Sequence, residues 1–182
     1  MTIDTNDMLN SILSSLSRID YIKPGDIPNI PLYMDQVTTF MDAQLSASKR
    51  YESDKILTKT MINNYAKNDL LPPPTKKKYS KEHLLLLVFI YYFKNLLTIT
   101  DIQALLKPIT DKYFQDSDSL TLEDIYNEVF RLEKSQIDVL KEDISNRYHL
   151  SRETFSDAPE EDQEFLKTFS FICLLSFDVY VK

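Results

Sequence analysis

The chain of 182 residues contains one glycine, one cysteine, two histidines and no tryptophan. Each shortage excludes a class of chemistry. Loops that cradle phosphate need several glycines, so that backbone N–H groups can approach the ligand. With Gly25 alone, neither a Walker nor a dinucleotide-binding fingerprint can be written. One cysteine, Cys173, allows no disulfide framework within a chain and no thiolate cage for zinc. His83 and His149 do not stand at metal-ligand spacing. No acid–base pair, nucleophile or metal cluster can be assembled from these residues, so no enzyme activity, cofactor or metal is expected.

Long apolar runs are short in supply as well. The longest, Leu84 to Phe93, has ten residues, about half of what a bilayer-spanning helix needs. The opening residues MTIDTNDMLNSIL carry no basic segment and no uninterrupted apolar stretch, so no secretory signal is expected. The reading is a protein of a reducing cytoplasm with no membrane partner. Basic charge is scarce overall, with a net charge of −7, but it is unevenly spread. Between Lys49 and Glu82 there are nine basic residues against four acidic ones, whereas residues 111–182 hold eight against seventeen. A basic island in an acidic chain marks where a polyanion could dock.

What is present is helical. Scarce Gly with abundant Leu, Ile and Lys favours helices. Met8, Leu9, Ile12, Leu13, Leu16 and Ile19 recur at helical spacing over residues 5–19, on a helix expected to pack on the protein's own core. Turn chemistry follows from Lys23 to Pro31. A second helix is expected over Leu32 to Leu45. A third is expected from a Thr58 cap to about Asn68, with Leu57 and Ile62 as a hydrophobic staple. Its inward residues are Met61, Ile62 and Tyr65; Lys59, Thr60, Asn63, Asn64 and Lys67 face out. In LLPPPTKKKYS, the prolines favour two short extended arms around a tight turn tipped by Lys76, Lys77 and Lys78. Ser80 is a cap for a fourth helix that is apolar on every face and must be covered on all sides. A capping box at Thr100 to Gln103 opens a short helix that Pro108 limits. A long helix is expected from Thr121, and a last one from near Pro159.

The run from Leu57 to Leu106, LTKTMINNYAKNDLLPPPTKKKYSKEHLLLLVFIYYFKNLLTITDIQALL, resembles the DNA-binding head of the MerR family. There, a helix-turn-helix ends in Arg-Tyr-Tyr-Glu. Gly-Leu-Leu-Pro, a basic wing, and Tyr-Ser before a Leu- and Phe-rich helix follow, and a short capped helix closes the head. The whole chain also resembles an uncharacterised bacterial family with such a head and a helical tail. Asn63-Asn64-Tyr65-Ala66 stands in place of Arg-Tyr-Tyr-Glu, and Asp69 in place of the Gly.

The expected architecture is therefore mainly α. Residues 1–30 form an N-terminal amphipathic helix and a proline-rich turn, residues 31–110 a MerR-like winged helix-turn-helix head with a short β wing, and residues 111–182 an α-helical dimerisation or effector tail. The expected function is duplex DNA binding in transcriptional control by a homodimer. The lysines at the wing tip would neutralise phosphates, and Asn63 and Asn64 are suited to adenine edges in the major groove. The candidate DNA-binding set is Thr58, Lys59, Thr60, Asn63, Asn64, Tyr65, Lys67, Lys76, Lys77, Lys78 and Tyr79. Two other readings stand beside it. One is a protein-interaction module on the same fold that has lost DNA binding, favoured by Asn63, Asp69 and the acidic balance. The other is a sensor whose Tyr- and Phe-rich tail holds a small-molecule effector.

Overall fold

The computed structural model describes residues 5–17, 22–49, 51, 53–115 and 120–181. Its elements are α1 (Thr5–Ser17), β1 (Leu32–Tyr33), α2 (Met34–Leu45), α3 (Lys59–Lys67), β2 (Lys78–Tyr79), α4 (Lys81–Phe93), α5 (Ile99–Tyr113), α6 (Leu122–Arg152) and α7 (Glu160–Val181). The protein is mainly helical, and its strands pair as a two-stranded antiparallel sheet. The chain divides into two compact units, Asp20–Leu132 and Met1–Ile19 with Glu133–Lys182.

The first unit is organised by α4. Every residue from His83 to Tyr91 is buried, as a helix with apolar side chains on all faces requires. Burying one Leu, Ile or Phe side chain stabilises by about 1.5–3 kcal/mol, and α4 buries Leu84, Leu85, Leu86, Leu87, Phe89 and Ile90. Val37, Met41 and Leu45 of α2, Ile62 of α3, Ile102 and Leu106 of α5, and Leu122, Tyr126 and Phe130 of α6 share this core. Phe89 stacks on Phe130 with centroids 5.6 Å apart and meets Tyr126 edge-on at 5.5 Å. The fully buried Tyr126 hydroxyl donates to the Ile22 carbonyl at 2.7 Å, which ties down the segment before β1.

Three helix boundaries differ from expectation. The second helix begins at Met34 rather than Leu32, because Leu32 and Tyr33 are extended and pair with Tyr79 and Lys78. Tyr33 becomes the N-cap residue, and its N–H donates to Gln36 Oε1 at 2.9 Å. The helix before Pro108 begins at Ile99, not within Thr100–Gln103, because the reciprocal cap is Thr98 with Asp101. Thr98 Oγ1 donates to Asp101 Oδ2 at 2.6 Å and accepts the Asp101 N–H at 3.2 Å. Nor does Pro108 end that helix, which continues to Tyr113. A mid-helix proline costs about 3 kcal/mol by removing a hydrogen bond and crowding the preceding turn. Here Ala104 and Pro108 are exposed, so the orphaned carbonyl faces water. Ile109, Tyr113 and Phe114 beyond it still pack on the core, offsetting the loss.

The second unit gathers α1, the latter part of α6 and α7 around Ile144, Tyr148 and Phe171, with Met8, Leu9, Ile12, Leu13 and Leu16 packed against them. The amphipathic face of α1 thus lies on a core of its own unit. Its entry is pinned by Thr5, whose hydroxyl is 2.7 Å from that of Thr168 and donates to Glu164 Oε1 at 2.5 Å. Arg152 grips the same carboxylate through two bonds of 2.7 Å. Arg152 and then Thr5 hold the Glu164 carboxyl down at about 2.

The glycine shortage has a structural counterpart. Among the described residues, the left-handed backbone positions are held by Asp69, Lys76, Lys77 and Phe155, with φ between 51° and 64°. Asp69 follows the end of α3 in a Schellman arrangement: the Leu70 N–H donates to the Tyr65 carbonyl at 2.9 Å, and the Asp69 N–H to Ala66 at 3.4 Å. That position usually takes glycine, which has no Cβ to clash. Gly25 occupies a 3-10 turn where φ is not positive, and a Cβ added there meets nothing within 4 Å. We expect Asp69→Gly to stabilise the protein by about 0.5–1 kcal/mol, since relief of left-handed strain exceeds the added chain entropy. Gly25→Ala should be neutral or stabilising by up to about 1 kcal/mol. Thermal unfolding of both variants checks the pair, and a marked loss at Gly25→Ala contradicts it.

Candidate functional site

The three lysines that interrupt the acidic chain sit on a tight four-residue turn. Pro72 to Pro74 lead into Thr75, whose carbonyl accepts the Lys78 N–H at 3.0 Å. Lys76 and Lys77 occupy the two central positions with φ of 51° and 64°. Positive φ at both positions defines a type I′ turn, the form that matches strand twist and ordinarily carries Asn-Gly. A lysine held there costs about 1–2 kcal/mol. Thr75 and Lys78 bridge antiparallel across the turn, as the two short arms expected of this loop would. Lys78 and Tyr79 also pair with Tyr33 and Leu32 of β1, which anchors the turn to the segment before α2.

The lysines do not all end in the same setting. Lys76 and Lys77 are exposed. Lys78 is half-buried, its Nζ lying 4.9 Å over the ring of Tyr33. Tyr33 is itself 53% exposed, so it offers a flat aromatic face beside a cation. Lys76, Lys78, Tyr33, Pro31, Phe114 and Glu82 line an open cleft of about 560 Å³.

Helix α3 supplies the second group. Thr58 is its N-cap, and the Thr58 Oγ1 accepts the Met61 N–H at 3.2 Å, so that hydroxyl is engaged in capping. Ile62 is fully buried below. Lys59, Thr60, Asn63, Asn64 and Lys67 are exposed on the outer face. Lys59 forms an ion pair with Asp35 of α2. Asn64 contributes its backbone carbonyl to the end of the helix, accepting from Asn68 Nδ2 at 2.7 Å. Tyr65 and Tyr79 have a different role from the one expected of them. Both rings are buried, at 7% and 3% exposure, and burial pushes both phenols above their usual pKa. Tyr65 packs under the Schellman turn and Tyr79 under the sheet, so neither ring is presented to a partner.

Two residues of this region escaped the sequence reading. Tyr33 was placed inside a helix; the signal was the extended character of the proline-rich run before it. His83, to which metal-ligand spacing assigns no role, is engaged at the head of α4. It stands three residues after Ser80, where a capping box usually places Glu or Gln. Its Nδ1 accepts the Ser80 N–H at 3.0 Å, which fixes the neutral ring with its proton on Nε2. The ring is wedged edge-on between Tyr79 at 5.4 Å and Phe114 at 4.8 Å. Nε2 is buried and makes no hydrogen bond among the described residues, although the Pro73 and Pro72 carbonyls lie near enough to favour a proton. Burial outweighs them and lowers the pKa below its ordinary 6.5.

This histidine makes stability pH-dependent in a definite direction. The folded state keeps His83 neutral, while the unfolded chain takes up a proton below about pH 6.5. Stability is therefore full above that value and falls as the pH drops toward the lower folded value. His83→Gln retains an acceptor for the Ser80 N–H and cannot titrate. We expect the wild-type melting temperature to fall between about pH 7 and 5.5, and the variant to be flatter over that window. Parallel curves would assign the pH dependence elsewhere.

No curated protein and no solved structure matches the chain. Among the described residues, no group of three or more His, Cys, Asp or Glu side chains could hold a metal ion, and no helix is long and apolar enough to cross a membrane. A family profile matches residues 22–129, a span that nearly coincides with the unit built on α4. It contains the strained turn, α3, the β1–β2 pair and His83. With more than half its length matched, the chain belongs to the family described as a domain of unknown function, DUF1836.

Proposed function

We propose that the chain is a duplex-DNA-binding regulator of transcription with a MerR-like winged helix-turn-helix head. In this reading Thr75 to Lys78 is the tip of the wing and α3 is the reading helix. The observation that carries it is the turn: two exposed lysines are held in left-handed backbone at about 1–2 kcal/mol each. Asn-Gly would make the same turn without that cost. Strain kept at a solvated tip points to the side chains as the reason for it. Their setting agrees. The net charge is −7, so cations presented in pairs on a stiff, proline-led turn form a local exception that phosphate would recognise. On α3, Asn63 and Asn64 are exposed amides at successive positions, able to pair with adenine edges. Lys67 adds a phosphate contact on the same helix. Tyr33 beside Lys78 offers a surface for sugar or base packing. Thr60 completes the contact set.

One further observation favours the alternative of a protein-binding surface. Lys59 is paired with Asp35 and Lys78 lies over Tyr33, which leaves fewer cations for phosphate than the sequence suggests. A salt titration with duplex DNA separates the two. Lys76→Asn with Lys77→Gly keeps the turn and relieves its strain, so thermal stability should rise by a few degrees. Binding to any duplex should weaken, and the slope of log affinity against log salt should shrink by about two units, at about 0.9 per phosphate contact. Asn63→Ala or Asn64→Ala should relax preference at one base pair, by about 1–3 kcal/mol, with little change in slope. Unchanged affinity and slope in the lysine double variant would remove DNA from the account and leave the protein-contact reading.

A further inference from the structure

Helix α7 has two apolar faces, and its own unit uses only one. Glu164, Thr168, Phe171 and Leu175, spaced at three and four residues, face the core with α1 and α6; Phe171 is fully buried. About 100° around the helix, Phe165, Phe169 and Ile172 form a second stripe at the same spacing. They are 70%, 54% and 44% exposed. The Phe165 and Phe169 rings are stacked, with centroids 6.4 Å apart, as a flat plate. A few exposed apolar residues are ordinary on any surface; three large ones on one helix face over two turns are a patch.

We infer that this stripe is the face by which a second copy of the chain docks, through antiparallel pairing of the two α7 helices. Area supports that occupant. A fully exposed Phe or Ile offers roughly 200 Å², so these three side chains present roughly 340 Å² per copy. Two copies would withdraw roughly 680 Å² of apolar surface from water, about the apolar share of an interface of roughly 1,200 Å², the lower end of the specific range. Charge supports the direction. The first turn of α7 carries Glu160, Glu161 and Asp162. Parallel pairing would set two acidic turns side by side, and antiparallel pairing separates them. The same acids disfavour an anionic membrane, whose partners carry lysine beside the apolar face. The long helix α6, the expected dimer seam, is less suited. Its exposed Leu132, Val139 and Leu140 also share a side at helical spacing, but they include no aromatic ring, and Asp138, Lys141 and Glu142 flank them.

The proposal stands apart from DNA binding and can fail without it. Sedimentation of the full chain at micromolar concentration should show a dimer. Phe165→Glu with Phe169→Glu should raise the dimer dissociation constant at least about 100-fold with an unchanged circular dichroism spectrum. The Lys76→Asn, Lys77→Gly variant should remain dimeric. A second measurement uses the wild type alone, through its exposed and single cysteine. With the two-fold axis between Phe169 and Ile172, the paired Cys173 Cα atoms would lie roughly 12 Å apart, from about 1.5 Å rise per residue and helices 8–10 Å apart. That is too far for a disulfide and within reach of a short bismaleimide. A covalent dimer with bismaleimide, absent in Cys173→Ser, supports the pairing. A monomeric wild type, a folded double variant that still dimerises, or no cross-link in a wild-type dimer each overturns it.

Discussion

A helix that is apolar on every face has no orientation in which it can touch water, and α4 imposes that constraint on everything around it. The core from α2, α3, α5 and the first turns of α6 is the wrapping it demands. Even the ends of α4 are drawn in. At its start, His83 folds back to accept the Ser80 N–H. At its end, Lys94 reaches the Ile56 carbonyl at 2.7 Å and lies over Tyr91, and burial lowers its pKa. The surface elements of the candidate site are thus the outer skin of a wrapping set by α4. The lysine turn enters α4 directly, and α3 is held against its unit through Ile62 and Tyr65.

Glycine scarcity acts as a second, opposing constraint. A wrapped core needs sharp reversals, and sharp reversals need left-handed backbone. With Gly25 spent where nothing requires it, that backbone is carried by residues with side chains. At Asp69 the result is a Schellman turn with a carboxylate on it; at Lys76 and Lys77 it is a hairpin with two ammonium groups at its tip. The strain is local and affordable because the flanking pairs Leu32–Tyr79 and Tyr65–Leu70 are buried. It places charge at the points where the chain turns back.

Much of this was legible in the sequence, for reasons that can be named. The Thr58 cap, its Leu57–Ile62 staple and the buried α4 follow from short-range chemistry and from hydrophobic period, and each lies where those signals put it. The start of α6 at Thr121 is likewise as expected, and a Thr121–Asp124 cap holds it. What was not legible depended on partners distant in the chain. Nothing near Leu32 announces that it pairs with Tyr79, so an extended dipeptide was absorbed into a helix. Pro108 is a local stop signal that distant packing overrides. Thr98 and Thr100 are equally good caps by composition, and Asp101 decides between them. In the candidate site, the lysines and asparagines were visible because exposed polar residues advertise themselves. Tyr33 and His83 were not, because their roles come from the sheet and from the rings around them.

The lysine turn has a consequence for the lifetime of the chain. By composition, Lys76-Lys77-Lys78 is the most cleavable stretch for a protease that cuts after basic residues, and exposed loop tips are where nicking concentrates. Such an enzyme must draw its substrate into an extended groove. This tip is curled into a hydrogen-bonded turn, flanked by Pro74 and locked through Tyr79 into β1. To straighten it, the sheet must open and Tyr79 must leave the core. Cleavage here is thereby governed by the fraction of time the β1–β2 pair is open. The segment most exposed by sequence is guarded by its own fold, and its cutting rate reads out how firmly α4 is wrapped.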